Sequence, residues 1–253
     1  MKKIYIIILT ISLFFNLKAQ KNIWWFSLSP YIGTGSSLFI HKESMQDNNL
    51  NYHLYSPSHM GGIKFSIAYN QNIGFNLATA QHYDSQIIDL YDTRNNVNIH
   101  EQILHKYLNF AFFIDFQTNT GLFLDFGTTL AKTQQTAIYS PTGDFKTVDV
   151  SAQMPKFYYT MIIRTGFKPY MSQILDITTG IQLNYTLQSL ITDEFYFTSN
   201  YFIHRLANYH DPTLTLLNAY LFIGVEYYFG YYGRSSCGKS SFLWNRANPR
   251  RFR

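Results

Sequence analysis

Seven charged residues fall where a period of two would put them on one face of a sheet: Lys64, Asp115, Asp125, Arg164, Lys168, Asp176 and Glu226. Each lies within a few residues of a turn or strand end. Three bases and four acids on the inside of a closed sheet would pair with one another. A one-residue slip would expose Arg164 to lipid at a cost of roughly 2–4 kcal/mol, so this residue helps fix register. The chemistry on offer is a buried ion-pair network that holds a narrow lumen shut. A gated pore or a proton path is the rival, disfavoured because a barrel of about eight strands has room only for its own side chains.

Other constellations promise less. Gly233, Gly238, Lys239 and Ser240 match the spacing of a phosphate-binding loop. That loop needs to open a helix in a parallel βαβ unit with an acidic magnesium partner, yet the 13 residues after Ser240 contain no acid. His82-Tyr83-Asp84-Ser85 has the residue types of an acyl-transfer site. Parity sends His82 inward and Ser85 outward, which is wrong for a proton relay. His41, His53, His59, His82, His100, His105, His204 and His210 fall at or near the long connections and read as solvated positions without metal-ligand spacing. Cys237 is the single cysteine, so no disulfide within the chain is available. The reading is non-enzymatic, with no catalytic residue, metal or cofactor.

The elements that would position the seven charges are strands. Ile63, Phe65, Ile67 and Tyr69 alternate with Gly62, Lys64, Ser66 and Ala68. After Gln71-Asn72, Ile73, Phe75 and Leu77 alternate with Gly74, Asn76 and Ala78. This is a tight hairpin. Leu108–Phe116 and Leu122–Leu130 repeat the form around a turn at 117–121, and Phe157–Phe167 and Leu175–Leu187 repeat it around 169–173. A first strand near 24–41 and a last near 213–229 complete eight. Short turns near 71, 118 and 171 alternate with long polar segments near 42–58, 84–101, 133–155 and 189–212, and this asymmetry is characteristic of outer-membrane barrels. One face is consistently aliphatic and aromatic. The other mixes small residues with ions, the reverse of a soluble barrel. The fold predicted is all-β: a closed antiparallel transmembrane β-barrel, eight-stranded, with a short C-terminal periplasmic tail. Pro30 disturbs the first strand, so either the regular strand begins at Tyr31 or a bulge sits there.

Aromatic residues make up 18% of the 253-residue chain, which suits strands with interfacial girdles. Trp24, Trp25, Phe26, Phe116, Phe167, Tyr170, Tyr227, Tyr228 and Phe229 gather at the inner ends. Residues 1–20 read as a signal peptide: Lys2 and Lys3, then an apolar run from Ile4 to Phe15, then Leu17-Lys18-Ala19-Gln20. Residues 21–230 form the barrel and 231–253 the tail.

Charge divides along the same lines. The body carries 11 bases and 15 acids, and the tail six bases (Arg234, Lys239, Arg246, Arg250, Arg251 and Arg253) and no acid. Bases on a tail rather than a folded face argue against nucleic acid. They favour an anionic partner, inner-leaflet headgroups or an acidic periplasmic protein, with Phe242, Trp244, Arg250 and Arg251 as docking residues and the whole tail mobile when alone.

On Leu17-Lys18-Ala19-Gln20, Ser29-Pro30-Tyr31-Ile32-Gly33 and Val225-Glu226-Tyr227-Tyr228-Phe229, the chain resembles the outer membrane protein A/X type of small barrel, and more loosely the PorT-like barrels associated with secretion. The resemblance implies bacterial outer-membrane residence, outer-membrane lipid and the barrel-assembly machinery as partners, and no single activity. The function expected is a structural or surface-interaction barrel with a charge-plugged lumen. An accessory barrel of an envelope secretion or transport complex, or a small pore, is the alternative.

Overall fold

The computed structural model describes residues 23–42, 44–69, 73–92, 97–118, 120–140, 147–169, 174–191, 213–234 and 240–244. The strands are β1 (Ile23–Ile40), β2 (Leu50–Tyr52), β3 (Pro57–Tyr69), β4 (Ile73–Asp92), β5 (Val97–Gln117), β6 (Leu122–Tyr139), β7 (Thr147–Asp149), β8 (Phe157–Phe167), β9 (Leu175–Thr186), β10 (Thr215–Arg234) and β11 (Ser240–Trp244). Eight of them, β1-β3-β4-β5-β6-β8-β9-β10, pair antiparallel in sequence order, and β10 closes onto β1. Closure leaves the ring without an edge, so every backbone group can pair within the sheet.

Alternation dictates which way each side chain points. The outer wall is apolar: Ile32, Leu77, Phe112, Phe126, Leu183 and Leu221 all stand exposed. The inner face is small or polar over the same span, with Ser66, Asn76, Ala78, Thr129, Thr160 and Asn184 buried. A wall that is oily outside and polar inside is stable only where the surroundings are hydrocarbon. Some inward positions must be glycine. Gly166 and Gly180 face each other across β8 and β9. A Cβ on Gly166 would come within 2.1 Å of the Thr179 carbonyl oxygen, and one on Gly180 within 2.2 Å of that of Thr165.

Three expectations need correction. The segments 84–101 and 133–155 are not long polar loops. β4 and β5 run in unbroken register from Ile73↔Phe116 to Asp92↔Val97, and β6 continues to Tyr139. A membrane is crossed by about 9–11 tilted residues, so the 20 residues of β4 carry the wall well past the bilayer. Two short strands extend it further: β2 continues the line of β3 along β4, and β7 that of β8 along β6. The polar outward residues of these extensions read as loop because they belong to strand standing in water.

The first strand also runs straight through Pro30. Pro30 pairs with Ile63 of β3 on one side, while Ser29 and Pro30 have no partners on β10. The missing N–H is accommodated by that break in the ladder, and the β-bulge lies earlier, between Phe26 and Ser27. Finally, the last strand does not stop at Phe229. It reaches Arg234, pairs with β1 as far as Ile23↔Gly233, and is met by β11 over Gly230–Arg234.

Candidate functional site in the lumen

All seven charges expected inside are on the inner face and buried, none more than 9% exposed. Lys168 sits just beyond β8, where its backbone N–H donates to the Gly121 carbonyl at 2.8 Å. Its Nζ lies 3.2 Å from Asp115 Oδ2 and 3.2 Å from Glu226 Oε2. Ser27 donates to the other Glu226 oxygen at 2.6 Å. Asp176 is directly opposite Glu226 on the neighbouring strand, as Asp115 is opposite Asp125. Like charges facing each other destabilise a sheet, so these carboxylates stand together only because Lys168, Arg164 and Lys64 lie among them. Lys64 is within Coulombic reach of Glu226, Lys168, Asp125 and Arg164.

Arg164 fills the centre. Its Nε is 3.8 Å from Asp125 Oδ2. Its guanidinium carbon lies 4.2 Å from the ring centre of Phe222, 4.8 Å from that of Tyr31 and 5.5 Å from that of Phe113. Aromatic faces attract a desolvated cation by about 2 kcal/mol. Phe113, Phe123, Tyr31 and Phe222 are thus inward aromatic residues, placed by parity but overlooked while the inner face was read as small and ionic. Trp25 and Tyr228, assigned to the girdle, are likewise buried on the inner side.

A second polar layer lies further out, and of its members parity had placed only His82 on the inner face. The Asp84 carboxylate, 1% exposed, accepts from Tyr107 Oη at 2.8 Å, Asn218 Nδ2 at 2.8 Å and Tyr220 Oη. His82 Nδ1 is bonded to Tyr220 Oη at 3.1 Å, and Asn109 Nδ2 lies 3.2 Å from His82 Nε2. His105 is held between Thr136 at 2.7 Å and Tyr158 at 2.9 Å. The His82 and His105 rings both stack on Tyr107. These histidines and His41 are buried, which corrects their reading as solvated loop positions. The signal was present: Ala78, Ala80, His82, Asp84, Gln86, Ile88 and Leu90 are one unbroken even-numbered series on β4. Its inner face turns from small to polar to apolar, and that change disguised it.

The outermost level is apolar. Phe39, Ile88, Ile103, Ile138, Leu190 and Leu214 form one buried cluster, with Leu50 and Tyr52 of β2 packed against it. The strap carrying β2 is fastened outside the wall, where Asp89 accepts from His53 Nε2 at 2.8 Å and His100 Nδ1 at 2.5 Å. Partial burial works to raise the Asp89 carboxyl. The two imidazole hydrogen bonds outweigh it and hold the group below the ordinary carboxylate range. A depressed folded value means the contact stabilises fully above the unfolded pKa of about 3.9 and is lost as pH falls through the folded value. Hydrogen exchange across 50–53, corrected for intrinsic rate, should therefore speed up only below about pH 4. The change is at most about 1 kcal/mol because the pair is solvated, and Asp89→Asn should abolish the pH dependence.

Of the four tail residues singled out, Phe242 and Trp244 lie on β11. Arg250 and Arg251 are outside the described residues, as are the signal segment, His204, His210 and most of the phosphate-loop match. The stretch 240–244, expected to be mobile, is instead a strand.

An eight-stranded closed ring with an apolar exterior and a polar, packed interior is an outer-membrane-type β-barrel. The chain is similar in fold, at low identity, to solved barrels. Neisserial surface protein A aligns over 82% of this chain and 97% of its own, at 11% identity and a TM-score of 0.37. Ail, the attachment invasion locus protein of Yersinia pestis, aligns over 82% and 100%, at 11% identity and a TM-score of 0.41. The N-terminal β-barrel domain of Pseudomonas aeruginosa OprF aligns over 79% and 97%, at 10% identity and a TM-score of 0.30. No protein-family model and no curated protein matches the sequence.

Proposed function

We propose that this chain is a non-enzymatic barrel of the bacterial outer membrane that acts through its outer surface, with a lumen plugged by its own side chains. The observation that carries the reading is the filling of the lumen at three successive levels. The ion layer around Arg164 lies nearest the short turns, the Asp84 layer above it, and the apolar cluster of Phe39, Ile88 and Leu214 at the outer end. A barrel closed in this way has its outer wall, straps and long connections left to work with. The extension of β4 to β6 beyond the bilayer span gives that surface a rigid base.

A second reading has its own support. β11 folds back on the part of β10 that projects past β9, so the basic tail leaves the barrel from a fixed point at the short-turn end. An accessory role in an envelope complex would use this end, with an acidic periplasmic protein as partner.

Crosslinking in intact cells separates the two. One variant replaces the strap 43–55 with a short turn, and another ends the chain after Arg234. The surface reading predicts that partners are lost with the strap variant and kept by the truncated chain. The reverse pattern favours the accessory role and overturns the first reading. The truncated chain should still assemble, because every strand of the ring ends by Arg234. Loss of its heat-modifiable gel mobility would show that β11 is needed to close the seam.

A further inference from the structure

The outer wall is not evenly apolar. A trough of about 510 Å³ runs along it across β3, β1, β10 and β9, with Ile32, Thr34, His59, Thr179, Leu221 and Ile223 around it. Two glycines thin the wall at this point. Gly33 has its Cα on the inner side of β1, where a Cβ would come within 2.6 Å of Met60 Cε and 3.0 Å of the Leu221 carbonyl oxygen. Met60 in turn belongs to the buried cluster with Tyr31, Phe123 and Phe222. A side chain at 33 would have to displace the end of Met60 and press on the Leu221 carbonyl, and with glycine there Met60 and Phe222 line the trough from behind. Gly61, opposite Ile32, adds no side chain outside. The flanks are left bare: Ile32 is 66% exposed and Leu221 65%, more than the wall residues Phe112 and Phe126 at 49% and 50%.

We propose that this trough is a retention site for one acyl chain of a membrane lipid. The occupant follows from where the trough lies: it is continuous with the hydrocarbon-facing wall, so the bilayer itself supplies what fills it. Orientation follows from its two ends. β1 runs outward from Ile32 to Thr34, and β10 runs inward from Leu221 to Ile223. The polar pair Thr34 and His59, directly opposite in register, therefore marks the outer end, while the inner end has Ile32 and Ile223 with Thr179 beside them. Beyond them in the same row come Tyr83 and Lys106, with the Lys106 ammonium 5.1 Å from the centre of the Tyr83 ring. Aromatic and basic side chains of this kind sit at headgroup level. The chain lies in the apolar part, and its headgroup meets Thr34 and His59.

The test uses the full barrel reconstituted with phosphatidylethanolamine bearing a diazirine in its acyl chain. After irradiation, adducts should concentrate on the peptides holding 32–34, 59–60 and 221–223. Thr34→Trp, which fills the trough from an exposed position, should lower labelling there about tenfold, equivalent to about 1.4 kcal/mol. Labelling at Phe112 and Phe126 should not change. Gly61→Leu is the second variant, since a Cβ there meets only Ile32 Cγ2 at 3.9 Å. Heat-modifiable mobility confirms that each variant is folded. Uniform labelling around the wall, or labelling at the trough that neither variant reduces, overturns the site. No labelling anywhere on the wall would instead overturn the membrane assignment on which the site rests.

Discussion

Arg164→Leu lowers the unfolding free energy of the barrel by about 3–5 kcal/mol, the usual cost of removing one member of a buried ion pair. Three things are lost together. Asp125, 1% exposed, loses the cation 3.8 Å away. The aromatic faces of Phe222, Tyr31 and Phe113 lose the guanidinium they surround. The cross-strand pair Asp115 and Asp125 is left with only the two lysines nearby. Urea titration of the protein in lipid vesicles, followed by tryptophan fluorescence, measures the change. Adding Asp125→Asn to Arg164→Leu should recover part of the loss, since the uncompensated carboxylate is then gone. A single variant with an unchanged midpoint would remove Arg164 from the centre of the layer.

Asp84→Ala is expected to have an effect of similar size. Tyr107, Tyr220 and Asn218 all donate to this carboxylate, and the alanine removes that acceptor: Tyr107 loses the group it donates to, while Tyr220 keeps only His82 and Asn218 only the Tyr107 oxygen, at about 1–3 kcal/mol for a donor left unpaired. A loss of about 3 kcal/mol or more should follow, read in the same titration. Asp84→Asn keeps one acceptor oxygen and should cost clearly less. If alanine and asparagine behave alike, the carboxylate is not what the three donors are organised around.

The contrast between these two sites explains how much of the molecule was legible in the sequence. Arg164 and its neighbours could be found because they interrupt short strands flanked by recognisable turns. At such ends alternation is clean and an ion on the inner face stands out. The ring of eight strands followed from the same alternation and from the short-turn, long-connection rhythm. Asp84 and His105 were hidden by a change of solvent along β4 and β5. Over the bilayer span, period two separates apolar from polar residues. Past it, the outward face becomes polar (Asp89, His100, Gln102) while the inward face becomes apolar (Ile88, Ile103), and the residues between the two regimes resemble loop. Pro30 misled in another way: a missing N–H rules out pairing on one side only, and β3 supplies the other. β11 escaped notice because five residues between basic stretches become a strand only when a neighbouring strand projects far enough to receive them.

A lumen closed by its own side chains is tested most directly by single-channel recording of the purified barrel in a planar bilayer. The layers around Arg164 and Asp84, with the apolar cluster of Phe39, Ile88 and Leu214 above them, predict no ion-conducting steps in molar salt at moderate voltage. Reproducible steps from the folded, heat-modifiable protein would contradict a plugged lumen and make the small-pore alternative the better description.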